Sequence, residues 1–334
     1  MSIPHQIHLA NGHQCPSVPG QSLLDSAAQA GLILEHSCRT GRCGSCKARL
    51  LSGTVSPLAA SPSLTLDEQA EGWVLTCTSS ASSDVSLDIE DLGELAALKL
   101  MTVPARIDTL EHLSESVLRV RLRLPPQHGF RYLAGQYVNI VGPGNIKRPY
   151  SIANAPASDG KLEFHIKRIP AGAMSEYWFE KAKPGELLRF EGPRGSFFLR
   201  PVGGARLICM ATGTGYAPIQ ALLQELATRP ASEQPSSIHL IWGGRQPADF
   251  YLAPPRLGPG SPPVNFIPTL SRPHADWTGA RGYVQDIVKQ KIKDLGNTWV
   301  YACGSDAMIT SAQCLLEQAG LPRKHFLSDA FVAA

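Results

Sequence analysis

The sequence predicts a multi-domain protein with three successive fold classes: a small mixed α+β region, an antiparallel β-barrel, and an α/β region built on a parallel sheet. Three observations carry this order. The 334 residues are too many for one ordinary core and suit two or three. Strand-like runs separated by Gly and Pro turns fill residues 102–200, the pattern of a small barrel. From residue 205 onward strands alternate with helical stretches, which implies a parallel sheet with a site at its carboxyl edge. The expected domains are 1–93, 101–200 and 203–334.

In the first region, residues 3–9 and 14–18 alternate like strands, and 23–28 have a short helical pattern. A cysteine-rich loop follows, then strand-like runs at 47–51, 73–77 and 85–89, and a linker at 93–100. The barrel strands are expected at 103–109, 117–124, 137–141, 162–169 and 187–191. In the last region 207–211 precedes a helix at 218–226. The segments 238–242, 265–270 and 284–291 follow, and 299–302 leads into a helix at 307–319.

Apolar residues make up 43% of the chain and charged residues 18%, which excludes a disordered or collagen-like polymer. A net charge of +3 without a long Lys/Arg run gives no basis for a nucleic-acid or anionic-membrane partner. Residues 1–10 lack a signal-peptide pattern, and no stretch reaches the roughly 18 apolar residues that span a bilayer. A cytoplasmic protein is therefore expected.

Of eight cysteines, Cys15, Cys209, Cys303 and Cys314 are scattered, unlike a secreted disulfide scaffold. The others form Cys38-Arg-Thr-Gly-Arg-Cys43-Gly-Ser-Cys46 and then Cys77, the C-x4-C-x2-C…C spacing of plant-type 2Fe-2S ferredoxins. Iron needs thiolates converging on a small volume, and Gly41 and Gly44 let the loop backbone come close to inorganic sulfide. A structural zinc site or a redox dithiol are the alternatives. Zinc sites usually pair their cysteines, whereas here three are bunched and one is distant.

Arg148-Pro-Tyr150-Ser151 lies at a strand edge of the barrel region. Its arginine can pair with a phosphate, its tyrosine can lie against an isoalloxazine ring, and its serine can reach the flavin edge where hydride arrives. Gly172-Ala-Met174-Ser175 precedes a helical stretch, 176–181, and offers backbone N–H groups to a pyrophosphate, with a plain cap at Ser175 as the alternative. Gly213-Thr214-Gly215, between a strand and a helix, and Cys303-Gly304, at the end of a later strand, would share the carboxyl edge of the sheet, where a dinucleotide lies. Pro218 stands where a full Gly-x-Gly-x-x-Gly fingerprint has its third glycine. After residue 242, Arg245 suits a 2′-phosphate and Asp249 a free ribose hydroxyl; NADH is the expected donor, with NADPH as the alternative.

Together these motifs resemble the ferredoxin-reductase superfamily, in its members with an N-terminal plant-type ferredoxin domain, over essentially the whole chain. Reductases of ring-hydroxylating dioxygenases, of phenol- and toluene-type monooxygenases, and of 3,6-dideoxyhexose synthesis share this outline. Residues 132–137, 150–156, 277–279, 301–305 and 328–332 are most similar to the CDP-6-deoxy-Δ3,4-glucoseen reductases. The resemblance implies a β-grasp ferredoxin domain with Cys38, Cys43, Cys46 and Cys77 as cluster ligands. It further implies an FAD barrel with contacts at Arg148, Tyr150, Ser151, Met174 and Ser175, and nicotinamide contacts at Gly213, Thr214, Gly215, Cys303 and Gly304. Phe331 looks like the family's aromatic that covers the flavin, with Asp329 steering protons or charge nearby, although here three residues follow Phe331. Electrons would pass from NADH through FAD and the cluster to an acceptor protein. That acceptor would be an iron-sulfur, pyridoxamine-phosphate-dependent sugar dehydrase or an oxygenase component.

Overall fold

The structure is a computed structural model describing residues 5–95, 97–292 and 294–331. Residues 3 and 4 of the first expected strand, residue 96 of the linker and the three residues after Phe331 lie outside that set. The chain divides into two compact units. One runs to Leu98 and includes Gly195–Phe197; the other is formed by Lys99–Arg194 and Phe198–Phe331.

The first unit contains β1 (Gln6–Leu9), β2 (Gln14–Pro16), α1 (Leu23–Gln29), β3 (Lys47–Ser52), β4 (Val55–Pro57), α2 (Leu66–Ala70), β5 (Trp73–Leu75), β6 (Ser79–Ala81) and β7 (Val85–Asp88). Five strands form a mixed sheet in the order β2-β1-β7-β3-β5, with β1 parallel to β7, and β4 and β6 form a separate ribbon. Helix α1 forms because Leu23, Leu24 and Ala27 share a buried face and the Ser22 hydroxyl accepts the Asp25 N–H. With Ile7, Leu34, Ala48, Val85 and Leu87 that face makes the core. The mixed sheet crossed by one helix is the β-grasp arrangement.

The second unit begins with β8 (Met101–Ser114), β9 (Val117–Arg123), β10 (Tyr137–Val141), β11 (Lys147–Ser151), β12 (Lys161–Lys167), α3 (Ala173–Glu176) with a wider turn at Tyr177–Lys181, and β13 (Leu187–Arg194). These six strands form an antiparallel sheet in the order β11-β10-β13-β8-β9-β12. In β9, Leu118, Val120 and Leu122 point inward while Arg119, Arg121 and Arg123 alternate outward. Just past β11, the Ala153 N–H donates to Glu163 O of β12 at 2.7 Å, so the sheet curls on itself as a barrel.

The remainder contains β14 (Arg206–Thr212), α4 (Tyr216–Leu226), β15 (Ser237–Gly244), β16 (Val264–Leu270), β17 (Ala280–Arg281), α5 (Val284–Lys291), β18 (Thr298–Gly304), α6 (Asp306–Gln318) and β19 (Phe326–Ala330). All pairs in the sheet β17-β16-β15-β14-β18-β19 are parallel, and β14 is buried along nearly its whole length, as a strand covered on both faces must be. The chain leaves β14 for β15 on one side and later returns to β18 on the other. Their shared carboxyl edge is therefore the switch point where open α/β sheets bind ligands. Among the described residues, no helix is long and apolar enough to cross a membrane.

Candidate functional site

In the first unit, the loop between α1 and β3 carries Cys38, Cys43 and Cys46, and Cys77 lies just past β5. The end of β5 is tied to this loop, because the N–H and hydroxyl of Thr76 donate to Cys46 O at 3.0 and 3.2 Å. The four sulfurs stand in two pairs. Cys38 and Cys43 exchange N–H···S contacts of 3.4 and 3.5 Å, and the sulfurs of Cys46 and Cys77 are 3.1 Å apart. Within each pair the two thiols are shifted in opposite directions. The hydrogen bond from Cys43 holds Cys38 down to about 4 and raises Cys43, and Cys46 likewise lowers Cys77 while its own thiol is raised. Among the described residues, no three His, Cys, Asp or Glu side chains gather around a single-ion site. Two thiols for each of two irons suit a 2Fe-2S cluster better than one tetrahedral ion. Gly41 fits the same reading: its φ is +75°, and a Cβ there would meet Ala60 O at 2.7 Å.

In the second unit, the hairpin of β10 and β11 presents Arg148, Tyr150 and Ser151. Arg148 is exposed. The Tyr150 hydroxyl accepts a hydrogen bond from Trp178 Nε1 at 3.1 Å, and burial pushes its phenol up to about 12, so the ring is neutral. Met174 lies against the end of β10, where a Cβ on Gly142 would meet its sulfur at 2.3 Å. The helix starts earlier than expected. Gly172 precedes α3, and Ser175 sits inside it, where its hydroxyl accepts the Ile169 N–H at 2.8 Å instead of capping the helix. The first N–H groups of α3 have no partner within the helix.

Gly213, Thr214 and Gly215 form the turn between β14 and α4. A Cβ on Gly215 would fall 2.2 Å from Cys303 O, and one on Gly304 would fall 2.0 Å from Thr212 Oγ1, so small residues let the two strand ends meet. Cys303 is fully buried. Burial and then the Asp329 charge push its thiol far up, which disfavours a nucleophilic thiolate there. Asp329 of β19 pairs with Cys303 in the strand register, and its Oδ2 accepts from Ser151 Oγ at 3.3 Å. Phe331, 38% exposed, donates its N–H to Gly304 O at 2.8 Å. One edge thus brings together Ser151, Asp329, Cys303, Gly304, Phe331 and the Gly213–Gly215 turn.

Two neighbours escaped the sequence reading. Lys167 Nζ of β12 would stand 3.6 Å from a Cβ on Gly213, and Trp242 Nε1 donates to Gly213 O at 3.1 Å. Neither belongs to a motif, and only the packing of barrel and parallel sheet reveals them. Asp249 also ties down its own loop: its Oδ2 accepts the N–H groups of Arg245 and Gln246 at 2.7 and 3.2 Å, fixing the segment after β15.

Comparison with known proteins agrees with this arrangement. Residues 7–82 match the 2Fe-2S iron-sulfur cluster binding domain, 104–199 the oxidoreductase FAD-binding domain and 209–314 the oxidoreductase NAD-binding domain. The chain is 38% identical to the CDP-6-deoxy-L-threo-D-glycero-4-hexulose-3-dehydrase reductase of Yersinia pestis, over 93% of both chains. It is 34% identical to terephthalate 1,2-dioxygenase reductase component 1 of Comamonas, over 99% of this chain and 98% of that one. The crystal structure of the Amycolatopsis cytochrome P450 reductase GcoB superposes with a TM-score of 0.71 at 26% identity, over 98% of this chain and 99% of that one. Three domain matches in this order, and relatives that align along nearly the whole length, show that the chain belongs to the ferredoxin-reductase superfamily, as an electron-transfer reductase with 2Fe-2S, FAD-binding and NAD-binding domains.

Proposed function

We propose that this reductase draws electrons from NADH and delivers them to a CDP-6-deoxyhexulose 3-dehydrase. The observation that carries this reading is the 38% identity to the Yersinia dehydrase reductase along 93% of both chains. A second reading, reductase of an aromatic-ring dioxygenase, rests on the 34% identity to the Comamonas protein over nearly the whole chain.

FAD, when bound, joins the two-electron chemistry of a nicotinamide to the one-electron chemistry of an iron-sulfur cluster. The chain supplies the placement. Cys38, Cys43, Cys46 and Cys77 hold the cluster, and Arg148 and the α3 N–H groups hold the flavin phosphates. Tyr150 flanks the ring system. Gly213–Gly215 admits the dinucleotide backbone, and the Lys167 ammonium neutralises its phosphates. Ser151, Cys303 and Asp329 line the place where the nicotinamide meets the flavin, and Phe331 covers it. Asp249, fixed by two backbone N–H groups, presents a rigid carboxylate to a free ribose diol, which favours NADH. The proposed location is the cytoplasm, where NADH is available.

Reconstitution tests the acceptor. Purified reductase is supplied with NADH and either the sugar dehydrase with its cytidine-sugar substrate or a ring-hydroxylating oxygenase with its arene. Sugar reduction coupled to NADH consumption is the expected result; efficient oxygenase turnover with an idle dehydrase would reverse the assignment. Equal efficiency with NADH and NADPH would overturn the donor preference.

A further inference from the structure

The string that begins at Tyr150 continues as Ile152-Ala153-Asn154-Ala155-Pro156, further than holding a cofactor requires. What the extension touches is helix α4. Gln220 Nε2 donates to Ala153 O at 2.9 Å and to Glu163 Oε1 at 3.2 Å, and Gln224 Oε1 accepts the Ala155 N–H at 3.1 Å. The two glutamines are four residues apart and share one face of the helix. On the barrel side Asn154 pins the same segment: its Oδ1 accepts the Glu163 N–H at 2.8 Å, and its Nδ2 donates to Lys161 O at 3.1 Å.

We propose that Gln220, Gln224 and Glu163 form a clasp that sets the distance between the flavin strand and the nicotinamide turn, and that they are positioning residues for transfer between the two cofactors. The argument is mechanical. Helix α4 starts directly after Gly213–Gly215, and Gln220 lies five residues further on, about 7.5 Å along the axis. At the other end of the clasp, Ala153 is two residues past Ser151. One rigid rod therefore carries the nicotinamide turn at its tip and grips the flavin strand a little more than one turn later.

The grip is built to hold. Glu163 is 7% exposed and is anchored by Arg121 Nε at 2.9 Å and His165 Nε2 at 3.0 Å, and His165 in turn meets the Tyr251 hydroxyl at 3.1 Å. A buried carboxylate with every lone pair engaged has one low-energy placement. Transfer rates fall steeply when reacting groups are misplaced by even 1 Å, so a fixed spacing has kinetic value.

This inference rests on assigning Ser151 to the flavin and Gly213–Gly215 to the nicotinamide. The test compares the FAD-loaded wild type with Gln220→Met/Gln224→Met, Gln224→Met alone and Gln224→Glu. It measures amide hydrogen exchange at Ala155, FAD content, the NAD+ dissociation constant and the limiting rate of flavin reduction by NADH. The double variant should exchange Ala155 at least about tenfold faster and reduce its flavin at least about tenfold more slowly, with FAD content and NAD+ affinity within about twofold of wild type. Gln224→Glu keeps the acceptor for Ala155 and should behave as wild type in every measure.

Faster exchange with an unchanged limiting rate overturns the clasp as a positioning device, and so does unchanged exchange. Loss of FAD or NAD+ affinity overturns it as well, since the glutamines would then belong to a cofactor site. Gln224→Met changes a half-buried position and carries the same test if the double variant does not fold. The underlying assignment is checked separately by Ser151→Ala with the clasp intact: an unchanged limiting rate there sinks that assignment and leaves the exchange result standing.

Discussion

Ser151 Oγ donates to Asp329 Oδ2 at 3.3 Å, joining residues 178 positions apart in sequence, one on a barrel strand and the other on the last strand of the parallel sheet. The hydrogen bond links the two halves of the second unit at the carboxyl edge of the parallel sheet. Ser151→Ala and Asp329→Ala should each slow reduction of bound flavin by NADH by about 100-fold, the lower end of the loss for one positioned polar group, while the flavin stays bound. Stopped-flow absorbance of the flavin band measures this, and a rate within twofold of wild type would remove both residues from the site.

The paired thiols of Cys38/Cys43 and Cys46/Cys77 predict a clean separation of activities. In Cys43→Ser, reduction of a protein acceptor should fall to background, while NADH-driven reduction of ferricyanide continues through the flavin. Parallel loss of both, with flavin retained, would contradict the order of electron flow.

Gly215 is set by contact. Because its Cβ would fall 2.2 Å from Cys303 O, a backbone atom that cannot swing aside, Gly215→Ala must push α4 away from β18. The expected cost is about 1 to 3 kcal/mol of stability, together with weakened NAD+ binding. Thermal unfolding and nucleotide titration check the two parts.

Acid should loosen the contact between barrel and parallel sheet. Burial works against the Glu163 charge, but hydrogen bonds from His165 and Arg121 and the nearby Arg119 outweigh it and hold the carboxyl down to about 2. Its contribution to stability is thus complete above the ordinary 4.5 and is lost as pH falls toward 2. Burial lowers His165, so its contribution starts to fade below the ordinary 6.5. Melting temperature should therefore decline from about pH 6.5 downward, and more steeply below 4.5. Glu163→Gln should flatten the steeper limb; an unchanged profile would show that the carboxylate is not the titrating group.

Much of this molecule could be read from residue order because the strong signals are local. The 137–141 strand matches its observed limits, the 284–291 segment has the limits of helix α5, and the cysteine spacing led directly to a two-iron reading. Some of the elements missed bury little. Helix α2 has no buried residue and is held by a Thr65–Glu68 capping box, and β4 is three residues long and mostly exposed. Contacts across the fold left no local trace. Asp249 looked like a ribose ligand because its type and position suit one, yet its carboxylate also ties down its own loop. Lys167 and the two glutamines of α4 have sequence neighbourhoods that give no hint of what lies opposite them.

The bonds from α4 to residues 153–155 bear on how such reductases can be recombined. A chimera joined near residue 203 would take its barrel from one parent and its nucleotide module from another, and so would divide this set of partners between two ancestries. Crossovers that move 153–163 together with 213–224 should outperform those that respect the obvious seam, because the unit of exchange is the bonded set and not the stretch of chain.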